Sequence, residues 1–246
     1  MNEGLISLDA VSFGYAPDRM VLDRCSFRLE RTERVGLVGS NGSGKSTLMK
    51  LIVGILRPAS GKLEVFGSPR VREGDFHEVR RRVGLLFQDS DDQLFCPTVA
   101  EDVAFGPLNL GKSRAEAWQI VTETLTALRL SGFERRITHK LSGGEKRLVA
   151  LAAVLAMSPE VLLLDEPTAG LDDDAAARVA DVLGELPQAM VIASHDTRLL
   201  ERLATRLLRF SHGRLVEESE LTSASPFVEI MVAPSPRQTV PVTLRG

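Results

Sequence analysis

The sequence has little cysteine, few aromatic residues and no long hydrophobic run. Its 246 residues contain two cysteines, one tryptophan and one tyrosine. Cys25 and Cys96 show no metal-ligand spacing, so a disulfide framework and a cysteine zinc site are disfavoured, and a reducing compartment is the simpler interpretation. The longest apolar run, residues 148–157, has ten residues. A helix that crosses a bilayer needs about 20.

The sequence also lacks a targeting signal and a strong charge bias. The opening MNEGLISLDA has neither the basic start nor the apolar stretch of a signal peptide, so we expect none. The net charge is −3 and no basic block stands out, which disfavours nucleic acid as the main partner. The length suits one large domain or two small ones, and hydrophobic residues, at 43% of the chain, are sufficient for a globular core.

Short strand-like runs alternate with helix-like runs, and this pattern predicts an α/β fold around a central sheet. Residues 6–13 and 25–30 alternate apolar and polar side chains, as half-exposed antiparallel strands do. The other predicted strands are 34–39, 61–67, 82–88, 161–165 and 189–194, followed by a hairpin over 210–218 that turns at His212 and Gly213. The predicted helices are 45–55, 113–130 and 173–186, within a chain whose segment 98–142 is largely helical.

A glycine-rich loop follows the strand at 34–39 and opens the helix at 45–55. Residues 39–46 read GSNGSGKS and fit the phosphate-binding pattern G-x-x-x-x-G-K-[ST]. Gly42 and Gly44 let backbone N–H groups turn toward phosphate oxygens, and the helix start adds its positive end. Lys45 can reach the outer phosphates, and the Ser46 hydroxyl can bind Mg²⁺. A glycine-rich turn with an accidental lysine is the alternative, but strand, loop and helix agree with the phosphate site.

The segment VLLLDE, residues 161–166, is the expected companion of this loop. A buried strand ends at Asp165, whose carboxylate can hold the water shell of Mg²⁺. Glu166 follows and can accept a proton from an attacking water. Four apolar residues followed by two acids can also be a strand that runs out to solvent. Beside a phosphate loop, the catalytic interpretation is favoured.

A second helix start of the same kind lies about 100 residues later, in LSGGE at 141–145. One ATP can use both helix starts if a second copy of the chain supplies Ser142, Gly143 and Gly144 to the phosphate held by its partner. At this point nearly the whole chain resembles the ABC (ATP-binding cassette) ATPase family. The resemblance is carried, in order, by Tyr15, GSNGSGKST, Gln88, LSGGE, LLLDEPT, AGLD and His195.

The resemblance implies a fold and a set of site residues. The fold is an α/β P-loop NTPase with a RecA-like core, an antiparallel β subdomain and a helical signature subdomain. Glu166, His195 and Lys45 would be catalytic, and Ser46, Gln88 and Asp165 would hold Mg²⁺. Asp172 would help to link the two nucleotide sites of the dimer. The residues implied to bind ATP are Tyr15, Gly39, Ser40, Asn41, Gly42, Ser43, Gly44, Lys45, Ser46, Thr47, Gln88, Ser142, Gly143, Gly144 and Glu145.

Two of these assignments have plain alternatives, and two positions depart from the family pattern. Tyr15, implied to stack on adenine, could be an ordinary aromatic at a strand end, and His195, implied to contact the γ-phosphate, could be a satisfied polar group. Glu145 stands where Gln is commonest. We expect its charge to point away from phosphate or to pair with a basic group such as Lys146 or Arg147. Asp173 and Asp174 continue AGLD where Pro often follows.

The stretch QDSDDQLF, residues 88–95, and the following TVAEDVAFGPLNLG are similar to the ATPases of energy-coupling-factor (ECF) importers. That resemblance implies an ATPase pair at the cytoplasmic face of the membrane. Its partners would be a transmembrane coupling protein and a membrane protein that binds the substrate. Cobalt or nickel is the first expectation. The alternatives are an importer of biotin or another vitamin, or an ABC ATPase of a different transport class. Residues 89–95 could also be only a solvated acidic loop, but their position favours an interface in which Leu94 and Phe95 are the anchor.

The resemblance also sets the expected domain limits and disfavours other ABC classes. We expect an ATPase domain over 1–221 with the helical subdomain inserted at about 89–158, and a Ser-, Pro- and Thr-rich extension over 222–246. A DNA-repair cassette would need a long coiled-coil insertion, and a translation-factor cassette would carry two copies. A silent regulatory module would have lost Lys45 or Glu166, and both are present.

Overall fold

The computed structural model describes residues 4–16 and 18–217, which form two sheets and seven α-helices. The predicted extension at 222–246 therefore lies outside the described residues, and the domain limits stay a prediction. The strands are β1 (Ile6–Ala16), β2 (Arg19–Leu29), β3 (Arg34–Val38), β4 (Ser60–Val65), β5 (Ser68–Pro69), β6 (Val83–Leu86), β7 (Val161–Asp165), β8 (Ala189–Ala193), β9 (Arg206–Ser211) and β10 (Arg214–Glu217). The helices are α1 (Lys45–Ile52), α2 (Phe76–Arg82), α3 (Val99–Asn109), α4 (Arg114–Ala127), α5 (Gly143–Leu155), α6 (Asp173–Glu185) and α7 (Thr197–Leu203).

The larger sheet has six strands in the order β10-β9-β3-β8-β7-β6. Its pairings are parallel except for the β9–β10 hairpin. The smaller sheet is antiparallel, in the order β2-β1-β4-β5. Parallel strands end at the same edge of a sheet. The segments that follow β3, β6, β7 and β8 therefore meet at one edge, and they carry most of the predicted site.

Each face of the six-stranded sheet packs into its own core because successive side chains of a strand point to opposite faces. In β7, Val161 and Leu163 join the core shared with the small sheet, α1 and α2. Leu162 and Leu164 join the core under α3–α7. This two-sided burial explains why VLLL is a continuous apolar run, whereas the strands of the small sheet alternate.

Most predicted elements are found, with shifts that have local causes. The helix predicted to reach Ile55 ends at Ile52, because Gly54 adopts a left-handed φ of 71°. The hairpin turns at His212 and Gly213, as predicted. Helix α7 was not predicted. Its start is marked by Asp196, whose side chain accepts hydrogen bonds from two backbone N–H groups of the first turn.

Helices α3, α4 and α5 lie between β6 and β7 in the chain and pack on one another. Each begins with a capping box, in which an N-cap hydroxyl and a Glu three residues later bond each other's backbone N–H. In the described part of the chain, no helix is both long enough and apolar enough to cross a membrane.

Candidate nucleotide-binding site

The loop between β3 and α1 forms an open cradle of backbone amides. Gly39, Gly42 and Gly44 have φ values of 152°, 76° and 119°, conformations that side-chain-bearing residues rarely adopt. A Cβ atom on Gly42 would meet nothing within 4 Å, so the loop leaves room for a ligand there. Gly44 is the N-cap of α1 and no side chain caps the helix. The free N–H groups of the first turn can therefore bind an anion.

Lys45 closes this cradle from one side. Its Nζ donates to the carbonyl oxygens of Gly39 at 2.7 Å and Ser40 at 3.1 Å. Burial lowers the pKa of the Lys45 ammonium, while the charges of Glu166 and Asp165 act in the opposite direction. The two carbonyls hold the ammonium across the loop, close to the amides that would bind phosphate.

A cleft of about 710 Å³ extends from this loop to the small sheet and the β9–β10 turn. Tyr15 lines it with an exposed ring, and its hydroxyl lies 3.2 Å from Thr47 Oγ1. The Tyr15 and Phe13 rings pack perpendicular to each other with a centroid distance of 5.1 Å. One face of Tyr15 is thus available for stacking. The lining residues are Tyr15, Arg19, Met20, Val21, residues 40–47, Gln88, Asp165, Glu166, Phe210, His212 and Gly213.

The three residues predicted to hold Mg²⁺ converge on an adjoining cavity. Ser46, Gln88 and Asp165 line this space of about 440 Å³ together with Asp89 and Asp92. They offer a hydroxyl, an amide oxygen and a carboxylate, the hard oxygen ligands that Mg²⁺ prefers. Because Mg²⁺ is usually held by one or two carboxylates, substrate phosphates and water, this donor set fits a nucleotide-bound Mg²⁺.

Glu166 points its carboxylate toward the turn after β8. Its backbone is left-handed, with φ of 52°, and its N–H donates to the carbonyl oxygen of Ala193 at 2.8 Å. Oε2 accepts weak hydrogen bonds from the N–H of His195 and the hydroxyl of Ser194, at 3.3 and 3.4 Å. Oε1 is buried and has no hydrogen-bond partner among the described residues. A buried unsatisfied carboxylate oxygen beside the phosphate loop is suited to accept a proton.

His195 lies beside the phosphate loop, although it is not among the residues that line the cleft. Its Nε2 is 2.9 Å from Asn41 Oδ1 and 3.6 Å from Glu166 Oε1. The structure therefore brings together the three segments that carry Asn41, Glu166 and His195. They follow neighbouring parallel strands β3, β7 and β8.

The LSGGE segment lies on a different layer, at the start of α5, and none of its residues lines the cleft. Ser142 is the N-cap of α5. A Cβ atom on Gly143 would meet nothing within 4 Å, and one on Gly144 would come no closer than 3.4 Å to a neighbouring atom, in Leu171. This helix start is thus open to approach from outside the chain. Within one chain it does not contribute to the cleft.

Glu145 pairs with a basic group, as predicted, but the group is Arg136 and not Lys146 or Arg147. Its carboxylate accepts hydrogen bonds from the backbone N–H of Ser142 and the guanidinium of Arg136, both at 2.8 Å. These bonds hold the pKa of Glu145 below its usual range, and the bond from the Ser142 backbone N–H has the largest effect. Lys146 pairs instead with Asp91. Glu145 points back along its own helix because N3 of a capping box is the position from which a carboxylate reaches the N-cap.

Arg147 connects α5 to the segment after β6, a contact that the sequence did not predict. Its side chain is buried and donates to the carbonyl oxygens of Phe87 and Gln88, at 2.5 and 2.6 Å. Burial lowers the pKa of Arg147, against the opposing effect of Asp165, Glu166 and Asp89. The backbone of Gln88 is therefore anchored to the helix that begins with LSGG.

Comparison with known proteins decides the family. The family described as "ABC transporter" matches residues 22–169, more than half of the chain. The chain belongs to this family. It is therefore an ATPase that binds ATP, and the cleft with its phosphate loop has the geometry for that task.

Relatives of this ABC ATPase include subunits named for energy-coupling-factor and cobalt transport. A putative ABC transporter ATP-binding protein of Brucella suis is 52% identical over 212 residues, covering 86% of this chain and 88% of the relative. The energy-coupling factor transporter ATP-binding protein EcfA of Methanothermobacter thermautotrophicus is 43% identical, covering 87% and 70%. The cobalt import ATP-binding protein CbiO of Rhodobacter capsulatus is 45% identical, covering 87% and 78%.

Solved structures of ABC ATPases share this fold. CbiO1 of Clostridium perfringens, part of the ABC transporter complex CbiONQ, matches with a TM-score of 0.77 and 31% identity over 90% of this chain and 91% of that one. A bacterial ABC transporter cassette solved as a dimer matches with a TM-score of 0.78 and 25% identity, covering 85% and 96%. The ABC ATPase fold predicted from the sequence is confirmed.

An apolar groove lies next to the segment 88–95 of the ABC ATPase. Phe95 and Phe105 stand on its rim, largely exposed, with their rings 4.8 Å apart edge to face. Beneath them the buried carboxylate of Asp102 accepts hydrogen bonds from the N–H groups of Phe95 and Cys96 and from the Thr138 hydroxyl. This carboxylate holds the aromatic rim in place.

Leu94 was predicted to be an anchor together with Phe95, and the structure places the two side chains in different surroundings. Leu94 is partly buried and packs against the helical core. The exposed aromatic pair is Phe95 with Phe105. Phe105 was missed because an exposed aromatic on a helix carries no sequence signal that separates it from core positions.

Proposed function

We propose that this ABC ATPase is the ATP-hydrolysing subunit of an ECF-type importer for cobalt or nickel ions. The observation that carries the proposal is its similarity, over most of the chain, to proteins named EcfA and CbiO. The EcfA name specifies no substrate, so an importer of biotin or another vitamin is the second candidate. In either case the ATPase lies at the cytoplasmic face of the membrane, as a peripheral subunit bound to its membrane partners.

The proposed chemistry assigns roles to the residues gathered at the edge of the sheet. Tyr15 stacks on adenine, and residues 39–47 bind the phosphates through the loop amides and Lys45. Ser46, Gln88 and Asp165 would hold Mg²⁺, which neutralises phosphate charge when it is bound. Glu166 accepts the proton of the attacking water, and His195 contacts the γ-phosphate.

The second half of each site comes from a second ATPase subunit, either an identical copy or a paralogue. Ser142, Gly143 and Gly144 stand at the start of α5, where a Cβ atom on Gly143 would meet no described atom within 4 Å. The N–H of Ser142 is bonded to Glu145 within the chain, so the backbone of the two glycines is the part left open to a partner. A helix N-terminus of this kind suits the γ-phosphate of ATP held by the partner. Glu145 belongs to the same segment, although its carboxylate is already occupied by Ser142 and Arg136.

The membrane partners are a coupling protein and a substrate-binding protein, with no nucleic acid involved. The groove at Phe95 and Phe105 is the proposed contact for the coupling protein, because exposed aromatic pairs often anchor interfaces. Asp89 and Asp92 are exposed in the segment that leads to Phe95 and have no ion-pair partner among the described residues. They can receive basic side chains of that protein.

The proposal is tested by purifying the complex and measuring uptake. The full chain, affinity-tagged in its native host, should retain membrane proteins in mild detergent. The complex in vesicles should take up radiolabelled cobalt or nickel when ATP is present on the ATPase side. A Glu166→Gln complex is the matched control and should assemble without transport. Uptake of biotin alone would select the vitamin alternative, and recovery without any membrane protein would contradict the proposal.

A further inference from the structure

Nε2 of the His195 imidazole faces two oxygen atoms, one of an amide and one of a carboxylate, and such oxygens accept hydrogen bonds. Asn41 Oδ1 lies 2.9 Å from Nε2, and Glu166 Oε1 lies 3.6 Å from the same nitrogen. Asn41 and His195 are 154 residues apart in the chain. They meet because β3 and β8 are parallel neighbours whose ends lie side by side.

This geometry selects one form of the neutral imidazole. A neutral histidine carries its proton on either Nδ1 or Nε2, and the hydrogen bond that the ring makes decides which. With the proton on Nε2, the ring donates to the Asn41 amide oxygen. With the proton on Nδ1, the lone pair of Nε2 would face both the amide oxygen and the carboxylate of Glu166, which is repulsive.

The remaining charged groups near His195 do not change this choice. Asp196 follows directly in the chain, but its carboxylate accepts the N–H groups of Arg198 and Leu199 at the start of α7. The Lys45 ammonium is bonded to the carbonyl oxygens of Gly39 and Ser40. The His195 ring is half exposed, and the short contact of its Nε2 is with the Asn41 side chain.

We propose that Asn41 is a positioning residue for His195. Its amide oxygen holds the neutral, Nε2-protonated imidazole with that N–H directed at the phosphate loop before ATP arrives. The inference rests on the role given to His195 in the proposed function, because only a donor at Nε2 could then bond a γ-phosphate oxygen. It adds a purpose for the Asn41 side chain, whereas phosphate binding by the loop uses backbone amides.

The tautomer can be read directly in the nucleotide-free full chain by long-range ¹⁵N–¹H correlation of labelled histidine. The His195 signals are identified by their loss in His195→Gln. We expect Nε2 to be protonated in the parent, and the two neutral forms to mix in Asn41→Ala. Asn41→Asp keeps an acceptor at the same place and should restore protonation of Nε2. Asn109→Asp, an exposed site on α3, changes the charge equally and should leave His195 unaltered.

A second experiment measures the rate of ATP hydrolysis at saturating Mg²⁺ and ATP. Asn41→Ala should lower kcat by about 3- to 10-fold, the range for one lost hydrogen bond, with KM for ATP within about 3-fold of the parent. Protonation of His195 at Nδ1 in the parent, or an unchanged tautomer in Asn41→Ala, would overturn the proposal, as would an unchanged kcat. The tautomer measurement needs neither hydrolysis nor transport, so it separates this inference from failure of the importer assignment.

Discussion

At the scale of single residues, Glu166 is the position where geometry and chemistry are most closely tied. A left-handed backbone at a non-glycine residue costs on the order of 1–3 kcal/mol, and such strain persists where the surroundings hold it. Here the Glu166 N–H bonds to the Ala193 carbonyl and the carboxylate meets the turn that carries His195. The strained turn places one carboxylate oxygen, without a partner, beside the phosphate loop.

Glu166→Gln should therefore lower the ATP hydrolysis rate by about 10²- to 10⁴-fold, the contribution of a general base. The amide has the same shape and keeps an acceptor for the His195 N–H, so ATP binding should stay within about 3-fold of the parent. Steady-state hydrolysis and nucleotide titration measure the two effects. Glu201→Gln, exposed on α7, serves as the control. Hydrolysis at the parent rate in Glu166→Gln would show that another group is the base.

At the scale of secondary-structure elements, the link between α5 and the segment after β6 depends on one buried side chain and one surface pair. Arg147 is buried and makes two charge-assisted hydrogen bonds to the Phe87 and Gln88 carbonyls. Lys146 and Asp91 also join the two elements, but the Asp91 side chain is 69% exposed. Exposed ion pairs contribute about 0–1 kcal/mol, whereas each hydrogen bond to a charged group contributes about 1.5–3 kcal/mol. Arg147 should dominate.

Arg147→Met should lower the free energy of unfolding by about 2–4 kcal/mol, because it removes both bonds and leaves two carbonyls without their donor. Lys146→Ala should cost less than about 1 kcal/mol. Urea denaturation gives both values, with Arg114→Met, an exposed arginine of α4, as the control. If Lys146→Ala proved as damaging as Arg147→Met, the surface pair would be the main connection.

Elements with local signals were predictable, and those that depend on distant contacts were not. The β7 strand is an apolar run that ends in two acids, and the phosphate loop combines strand, glycines and helix, so both were read from adjacent residues. The partner of Glu145 could not be predicted in this way, because the fold of the 134–138 segment brings Arg136 to it. Arg147 likewise acts on carbonyls 59 and 60 residues away. No periodicity in the sequence encodes that distance.

At the scale of the whole molecule, the proposed site is split between two surfaces that one chain does not join. The cleft holds the phosphate loop and the acids, while the open start of α5 faces outward. The split explains why two helix N-termini suited to phosphate occur in one ATPase. A substitution at the start of α5 can therefore disturb the second surface while the ATP cleft stays unchanged.

Gly143→Asp should block ATP-driven dimer formation without loss of ATP binding. The new side chain has open space within the subunit, and an acid in the first turn of a helix is favourable to folding. It would place a negative charge against the phosphate of the partner's ATP. In a Glu166→Gln background, light scattering should show an ATP-dependent dimer that is absent when Gly143→Asp is added. A dimer that persists would show that the start of α5 does not contact the ATP held by the partner subunit.

The groove at Phe95 and Phe105 is the proposed connection between the ATP site and the membrane partners. Asp102 bonds the Phe95 and Cys96 backbone on one side and Thr138, shortly before LSGG, on the other. A partner seated on the two rings would thus press on the segment that leads into α5. Because anchor residues can each contribute 2 kcal/mol or more to an interface, replacing both rings should disrupt assembly while leaving the ATP cleft intact.

Phe95→Ser combined with Phe105→Ser should therefore leave ATP binding by the isolated subunit within about 2-fold of the parent, since neither ring lines the cleft. The tagged double variant should lose its membrane proteins on purification. Trp118→Ser on α4 is the matched control, because Trp118 is equally exposed but lies outside the groove. Normal co-purification by the double variant would exclude this groove as the docking surface. A defect confined to ATP binding would place the two rings in the nucleotide site instead.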